Sequence, residues 1–132
     1  MNSVRIGSDA FGFTVSERNR PGSGPYDFGM YEVEVRNGHF GGRADCYFNR
    51  QDLAGLLDAL TEMHRDLSGS HKFDPLESQF QFSIQIDKFG HVLVQGELFA
   101  DAGDWTNSVK FTFGIDQTYL PVIIASLDRL LN

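Results

Sequence analysis

Cysteine is nearly absent from this sequence of 132 residues, because Cys46 is the only one. A single thiol can form neither an internal disulfide nor a cysteine-based zinc site, which favours a reducing compartment. The sequence has no apolar run approaching the ~20 residues that a membrane helix requires. Its first residues also lack the apolar stretch of a signal peptide. We therefore expect a cytoplasmic protein with no membrane partner.

Lysine is also scarce, with only three in the chain. Lysine and arginine together number 11 against 18 aspartates and glutamates, which gives a formal net charge of −7. Proteins bind nucleic-acid backbones through basic residues that release counterions, so this balance predicts no nucleic-acid partner. An acidic protein is instead suited to rapid association with a basic partner. The alternative is that the acidity only keeps a small domain soluble.

Apolar residues are plentiful, at 41% of the chain, and they include 12 phenylalanines. A chain of this length buries roughly two-thirds of the surface that its unfolded form exposes. That is enough for one hydrophobic core without a metal or a disulfide. The length is too short for two ordinary domains, so residues 1–132 are predicted to form a single domain.

Alternation of apolar and polar residues is the main structural signal. It is typical of strands that bury one face and expose the other, and thus of an antiparallel sheet. Asn37-Gly38 is a strong hairpin signal between two such runs, and Lys88-Phe89-Gly90 and the segment 101–104 predict two more hairpins. Five clear runs and two weaker ones near the N-terminus are predicted strands: 31–36, 39–48, 79–87, 91–99, 108–115, 4–6 and 11–15.

Two segments change to helical periodicity. Asn49 and Asp116 are good N-caps, and leucines and isoleucines recur on one side of the chain after each of them. The predicted fold is therefore α+β: an antiparallel sheet of six to seven strands with two amphipathic helices on one face. Six residues are expected to be buried: Leu57, Phe82, Ile84, Phe111, Phe113 and Ile124.

The two halves of the sequence resemble each other. A shift of 67 residues aligns Asn49 with Asp116, Leu53 with Leu120, and Leu60 with Leu127. This alignment indicates an internal pseudo-repeat, in which each half is a strand meander that enters a capped helix. Coincidence is the alternative, because any two junctions of a strand and a helix share these features.

Motifs for catalysis and cofactor binding are missing. The sequence contains no phosphate-binding loop, no dinucleotide fingerprint, no HExxH zinc motif and no nucleophile elbow. Its four histidines are not paired at metal-ligand spacing, and Asp101, Asp104 and Asp116 do not follow the EF-hand pattern. Cys46 lies on the core side of its predicted strand, which indicates an inert thiol. We expect no catalytic residue, no cofactor and no metal.

Two groups of residues are candidates for partner binding. Asp58, Glu62 and Asp66 recur every four residues along the first predicted helix, away from its leucines. This acidic ridge is either a contact surface or a solvated helix face in which Arg50 and Arg65 reduce the repulsion between like charges. Asp104 and Trp105, at the third hairpin, form the second group. Tryptophan is enriched at binding hot spots, although the alternation places Trp105 on the core side.

A third candidate is the uncharged row on the strand 79–87. Its polar positions carry Gln79, Gln81, Ser83 and Gln85, which is unusual for a fully solvated strand face. This row predicts a second contact patch.

Three segments together resemble the WapI-type immunity proteins of bacterial polymorphic toxin systems. They are Asn37 to Gly42, which leads to the first helix, Gly90-His91-Val92, and Phe111 to Leu120, which enters the second helix. The resemblance covers the chain from about Tyr31 to its end and implies a cytoplasmic protein that neutralises a toxin by binding it. Such toxins often act on nucleic acid, and a nuclease has a basic groove that an acidic surface could occupy. The resemblance assigns no contact residue.

The sequence therefore favours a non-enzymatic binding module that inhibits a basic toxin domain. One alternative is a domain that self-associates through a sheet edge or its glutamine-rich face. The other is an enzyme with an unrecognised site, which requires paired carboxylates or a histidine of shifted pKa in a cleft. The oligomeric state, the contact surface and the role of the N-terminal thirty residues are open at this point.

Overall fold

A computed structural model describes residues 2–132 of the chain. The elements are β1 (Ser3–Gly7), β2 (Phe11–Asn19), β3 (Phe28–Asn37), β4 (Phe40–Asn49), α1 (Arg50–Asp66), β5 (Ser70–Phe73), β6 (Phe80–Ile86), β7 (His91–Asp101), β8 (Asp104–Asp116), a 3-10 turn (Gln117–Tyr119) and α2 (Leu120–Leu131).

The strands form two antiparallel sheets of four, each in sequential order: β1-β2-β3-β4 and β5-β6-β7-β8. The predicted α+β class and antiparallel pairing are confirmed. The prediction of one sheet with six to seven strands is wrong, because there are eight strands in two sheets. The strand that the sequence did not predict is β5. It has four residues, of which only Phe73 is buried, so its alternation is too short to be recognised.

The two halves of the chain repeat the same order of elements. Each half is a four-stranded meander whose last strand leads directly into a helical segment. Asn49 caps α1, since its side chain accepts a hydrogen bond from the backbone N–H of Asp52, and Asp116 caps the 3-10 turn before α2 in a similar way. The sequence shift of 67 residues thus aligns the two caps at equivalent places in the fold.

The core lies between the two sheets and consists largely of phenylalanine rings. Phe13 of β2 lies 5.0 Å from Phe80 and 4.9 Å from Phe82 of β6, measured between ring centroids. Phe48 of β4 is equally close to Phe73 of β5, again at 5.0 Å. Rings from both inner faces therefore interdigitate, and the sheets pack as a sandwich.

The two helices pack against each other and against strands of both sheets. α1 contacts β4 and β5, whereas α2 contacts β1. The Arg50 guanidinium, at the start of α1, donates a 2.6 Å hydrogen bond to the backbone carbonyl of Leu131, at the end of α2. This bond fastens the last turn of α2, where the helix carbonyls lack partners within the helix. The helices contact strands of two different sheets. The prediction that both helices lie on one face of a single sheet is therefore wrong as well.

The burial prediction is correct for four of its six residues. Phe82, Ile84, Phe111 and Phe113 are buried. Leu57 and Ile124 are only partly buried at the border of the core. On α1 the buried stripe consists instead of Leu53, Leu56, Leu60 and Met63.

Candidate partner-binding surface

Asp58, Glu62 and Asp66 form the acidic ridge along the exposed side of α1. The ridge exists because the buried stripe of the helix recurs at intervals of three and four residues, which directs these three carboxylates away from the core. Neither Asp58 nor Glu62 has an ion-pair partner within residues 2–132. Their charges are therefore available to a partner.

Asp66, at the end of the ridge, differs from the other two. Arg65 donates hydrogen bonds of 2.9 and 3.0 Å to its two carboxylate oxygens, and these bonds lower the pKa of Asp66. Arg65 therefore offsets part of the ridge's charge, whereas Arg50 is bonded to the end of α2. Asp58 and Glu62 are the ridge carboxylates without an ion pair among the described residues, although the Arg65 charge also acts on Glu62.

Asp104 and Trp105 lie on the hairpin that joins β7 to β8, apart from the ridge on α1. The Asp104 carboxylate accepts hydrogen bonds from the backbone and the hydroxyl of Thr106, which holds the hairpin and lowers the pKa of Asp104. Trp105 is 53% exposed, so its placement on the core side is wrong. Its indole packs edge-on against Phe99, with ring centroids 4.8 Å apart, and the rest of the ring faces solvent.

The glutamine-rich row of β6 lies on the outer side of the second sheet. Gln81 and Ser83 are half-buried and Gln85 is exposed. Gln79 does not belong to this surface, since it is buried and its amide donates 3.3 Å hydrogen bonds to the carbonyls of Phe99 and Ala100. The contact patch predicted for this row is thus reduced to three residues.

A large concave surface is formed by an aromatic groove of about 690 Å³. It lies between the β1–β2 turn, the start of β7, the end of β8 and the 3-10 turn. Six of its lining residues define it: Gly7, Phe11, His91, Gly114, Asp116 and Tyr119. Phe11 is 47% exposed and Tyr119 is 62% exposed, so the groove presents two large rings to solvent.

Gly7 is necessary for the shape of this groove. Its φ of +101° is one that residues with a side chain rarely adopt, and an added Cβ would lie 2.4 Å from the carbonyl oxygen of Phe11. Glycine thus allows the β1–β2 turn to close tightly beside β8.

Phe11 and Tyr119 were not recognised as surface residues from the sequence. Phe11 shares the alternation of Phe13 and Val15, which predicts burial, but it lies at the first position of β2, where the core ends. The sequence contains only weak signals that these residues are exposed. Phe11 is an aromatic residue directly after a turn, and Tyr119 comes directly after an N-cap segment.

Comparison with protein-family models matches residues 4–132 to the immunity protein WapI-like family. The match covers nearly the whole chain. The chain belongs to the WapI-like immunity protein family. The resemblance of the three segments is therefore confirmed, and it extends to the N-terminal strands, which the sequence motifs had not covered. Comparisons with curated proteins and with solved structures found no match.

Membership in an immunity family indicates a role in neutralising a toxin by binding it, and such families are generally non-enzymatic. No helix among the described residues is long and apolar enough to cross a membrane. Within residues 2–132, no three or more His, Cys, Asp or Glu side chains are grouped as a metal site.

One group with a shifted pKa touches the aromatic groove: Asp87 accepts hydrogen bonds from the backbone N–H groups of His91 and Phe89, which lower its pKa, and His91 lines the groove. Burial raises the pKa of Tyr31 to about 12, with a further contribution from Glu17. Burial also lowers the pKa of His71, which packs beside Gly55 of α1. Neither of these side chains lines the groove.

Cys46 is 1% exposed on the inner face of β4. Burial, reinforced by the nearby Asp45 carboxylate, raises the pKa of the Cys46 thiol to about 12. Because the thiolate is the reactive form, we expect a disulfide reagent at pH 8 to leave the native protein almost unlabelled. One equivalent should react promptly after denaturation. Native labelling as fast as that of the denatured chain would show that β4 is open to solvent.

Proposed function

We propose that this protein neutralises a toxin domain by occupying its functional surface in a stable complex, without turnover. The observation that carries the proposal is the match to the WapI-like immunity protein family over residues 4–132. The proposed site of action is the cytoplasm, where an immunity protein would protect the cell that makes it.

The charge of the protein supports a basic target. With a net charge of −7, it attracts a basic partner over a distance and raises the association rate. A toxin that cleaves nucleic acid needs a basic groove for the phosphate backbone. An acidic protein placed over such a groove excludes the substrate. We propose a nuclease domain as the target for this reason, and no nucleic acid as a direct partner of this chain.

The acidic ridge is the proposed first contact with the toxin. Asp58 and Glu62 are exposed on a rigid helix, and within residues 2–132 neither has an ion-pair partner. Asp66 belongs to the same ridge with a weaker net contribution, because it is paired with Arg65. Trp105 and Asp104 are a second proposed contact, in which the exposed indole supplies apolar area and the carboxylate holds the turn.

Co-expression with a toxin domain tests the proposed function. The probe is the toxic domain of a toxin encoded beside this chain, produced in a bacterial host with and without the chain. The proposal predicts growth only in the presence of the chain, and a purified complex of both proteins whose mass by light scattering fits a fixed stoichiometry. Growth arrest despite both proteins being folded and abundant would contradict it.

Self-association is a second candidate function, and one observation favours it. Cross-strand neighbours Ser70, Gln85, Leu93 and Gly114 form an uncharged row over the outer side of the second sheet. Like-charge repulsion would not oppose the pairing of two such faces. Sedimentation of the isolated protein over a hundredfold range of concentration tests this candidate, which requires a dimer in the absence of toxin.

A further inference from the structure

The aromatic groove combines apolar walls with one carboxylate. Phe11 and Tyr119 supply exposed rings, and Gly7 and Gly114 leave the backbone bare between them. Asp116 contributes a carboxylate, and no lysine or arginine of residues 2–132 lines the groove. Its volume of about 690 Å³ exceeds that of one side chain and lies within the ~300–1,000 Å³ that is usual for ligand clefts.

The Asp116 carboxylate is only partly used by the fold. Its Oδ1 atom accepts a long hydrogen bond of 3.4 Å from the backbone N–H of Thr118, which caps the 3-10 turn. Its Oδ2 atom has no hydrogen-bond partner within the described residues, and the side chain is exposed. A negatively charged oxygen is therefore directed neither into the core nor to another side chain.

His91 is the one lining residue that can become positively charged. Its imidazole is 78% exposed, and its Nδ1 atom lies 3.4 Å from a carboxylate oxygen of Asp87. When protonated, His91 has its charge balanced by Asp87 outside the groove. An anionic occupant would face the Asp116 carboxylate and the net charge of −7 without a compensating cation.

We propose that the aromatic groove binds an arginine side chain of the toxin, with the guanidinium on the Asp116 carboxylate and against the rings of Phe11 and Tyr119. The proposal rests on the proposed function, since it adds a second contact to the toxin complex. Its basis is charge complementarity: a groove that carries the Asp116 carboxylate and, among the described residues, neither lysine nor arginine selects a cation, as does the net charge of −7.

Arginine fits this groove better than lysine. The guanidinium is planar, stacks on aromatic faces, pairs with a carboxylate through two donors, and is more weakly hydrated than an ammonium group. Arginine is also among the residues most enriched at interface hot spots. The remaining volume of the groove accommodates the residues that flank the arginine in the toxin chain.

Two substitutions test the contact with the toxin domain used for the co-expression experiment. Asp116→Asn removes the charge but keeps an N-cap of equal quality, and Tyr119→Ala removes one ring from an exposed position. Each should weaken the equilibrium affinity by about tenfold or more. The matched control is Asp45→Asn, which removes one charge from the outer side of the first sheet. It should change the affinity by less than about twofold.

A small arginine compound tests whether the groove binds a guanidinium in the absence of the toxin. N-acetyl-arginine methylamide is titrated into the isotope-labelled protein at millimolar concentration and followed by NMR, with the neutral citrulline analogue as its control. We expect shifts of the Gly7, Gly114 and Tyr119 amides with the arginine compound, and their loss in Asp116→Asn. Equal shifts with citrulline, or shifts only elsewhere, would overturn the inference.

Failure of this inference is distinguishable from failure of the proposed function. If the wild-type protein binds the toxin but Asp116→Asn and Tyr119→Ala bind equally well, the groove is not the contact and the immunity function stands. If the wild-type protein does not bind the toxin at all, the proposed function fails, and the arginine probe still decides whether the groove recognises a guanidinium.

Discussion

Replacing Phe80 by alanine is expected to lower the free energy of unfolding by roughly 3–5 kcal/mol. Phe80 is fully buried, and its ring lies 5.0 Å from that of Phe13 in the opposite sheet and 5.5 Å from that of Phe82. Its removal would leave a cavity at the place where the two sheets meet. Since domains of this size are stable by about 5–15 kcal/mol, the loss is a large fraction of the total.

Denaturant titration followed by circular dichroism measures this loss, with Phe40→Ala as the control. Phe40 is 74% exposed at the start of β4, and its replacement should change the stability by no more than about 0.5 kcal/mol. If Phe80→Ala does not fold, Phe80→Leu keeps most of the apolar volume and should still lower the stability measurably. A loss below about 1 kcal/mol for Phe80→Ala would show that the sheets do not pack through this ring.

Reversing the charges of Asp58 and Glu62 to lysine should slow association with the toxin domain by about tenfold or more at low salt. The two carboxylates are the unpaired part of the acidic ridge, so their reversal changes the field that a basic partner meets. The effect should diminish as salt increases, because ions screen exposed charges beyond roughly 10 Å at 0.1 M. Stopped-flow kinetics at two salt concentrations measure both quantities.

The matched control for the ridge is the double reversal of Glu34 and Asp45. Both residues are exposed on the outer side of the first sheet, so the net charge changes by the same amount at another place. Folding stability should stay within about 0.5 kcal/mol in both variants, as for most surface changes. Equal slowing by the two variants would mean that net charge alone steers the toxin and that the ridge is a solvated helix face.

Alternation predicted most strands and the class of the fold, because burial of one sheet face imposes a period of two on the sequence. It did not predict that the strands divide into two sheets. An inward-facing phenylalanine such as Phe13 or Phe82 has the same pattern whether it packs on a helix or on a second sheet. The division depends on contacts between residues about 70 positions apart, which are not encoded in local periodicity.

Trp105 shows where the alternation of buried and exposed residues fails as a predictor. The residue continues the inward positions of Val109 and Phe111, but the pairing of β7 with β8 shifts register between Phe99 and Asp101, and residues 105–108 of β8 are all exposed. Leu57 shows the same limit on a helix. Helical spacing places it beside Leu53 and Leu56. Those two leucines are buried, whereas Leu57 is only partly buried at the border of the core, and helical spacing alone does not distinguish the two positions.

The candidate surfaces differ in how far the sequence could predict them. The acidic ridge depends only on the helical period, so its exposed face was predictable, whereas the close pairing of Arg65 with Asp66 became visible only in the structure. The aromatic groove could not be predicted, since Phe11 and Tyr119 are more than one hundred positions apart. The fold brings them together where the β1–β2 turn meets the end of β8.

Titration of the toxin domain's activity with the purified protein tests the central claim most directly. A fixed concentration of the toxin domain is mixed with increasing amounts of the protein, and the activity of the toxin, proposed to be cleavage of nucleic acid, is recorded. Stoichiometric binding without turnover predicts that activity falls linearly and ends at a fixed molar ratio. Full activity at a tenfold excess of folded protein would contradict the claim, as would loss of activity at substoichiometric amounts, which would indicate an enzyme.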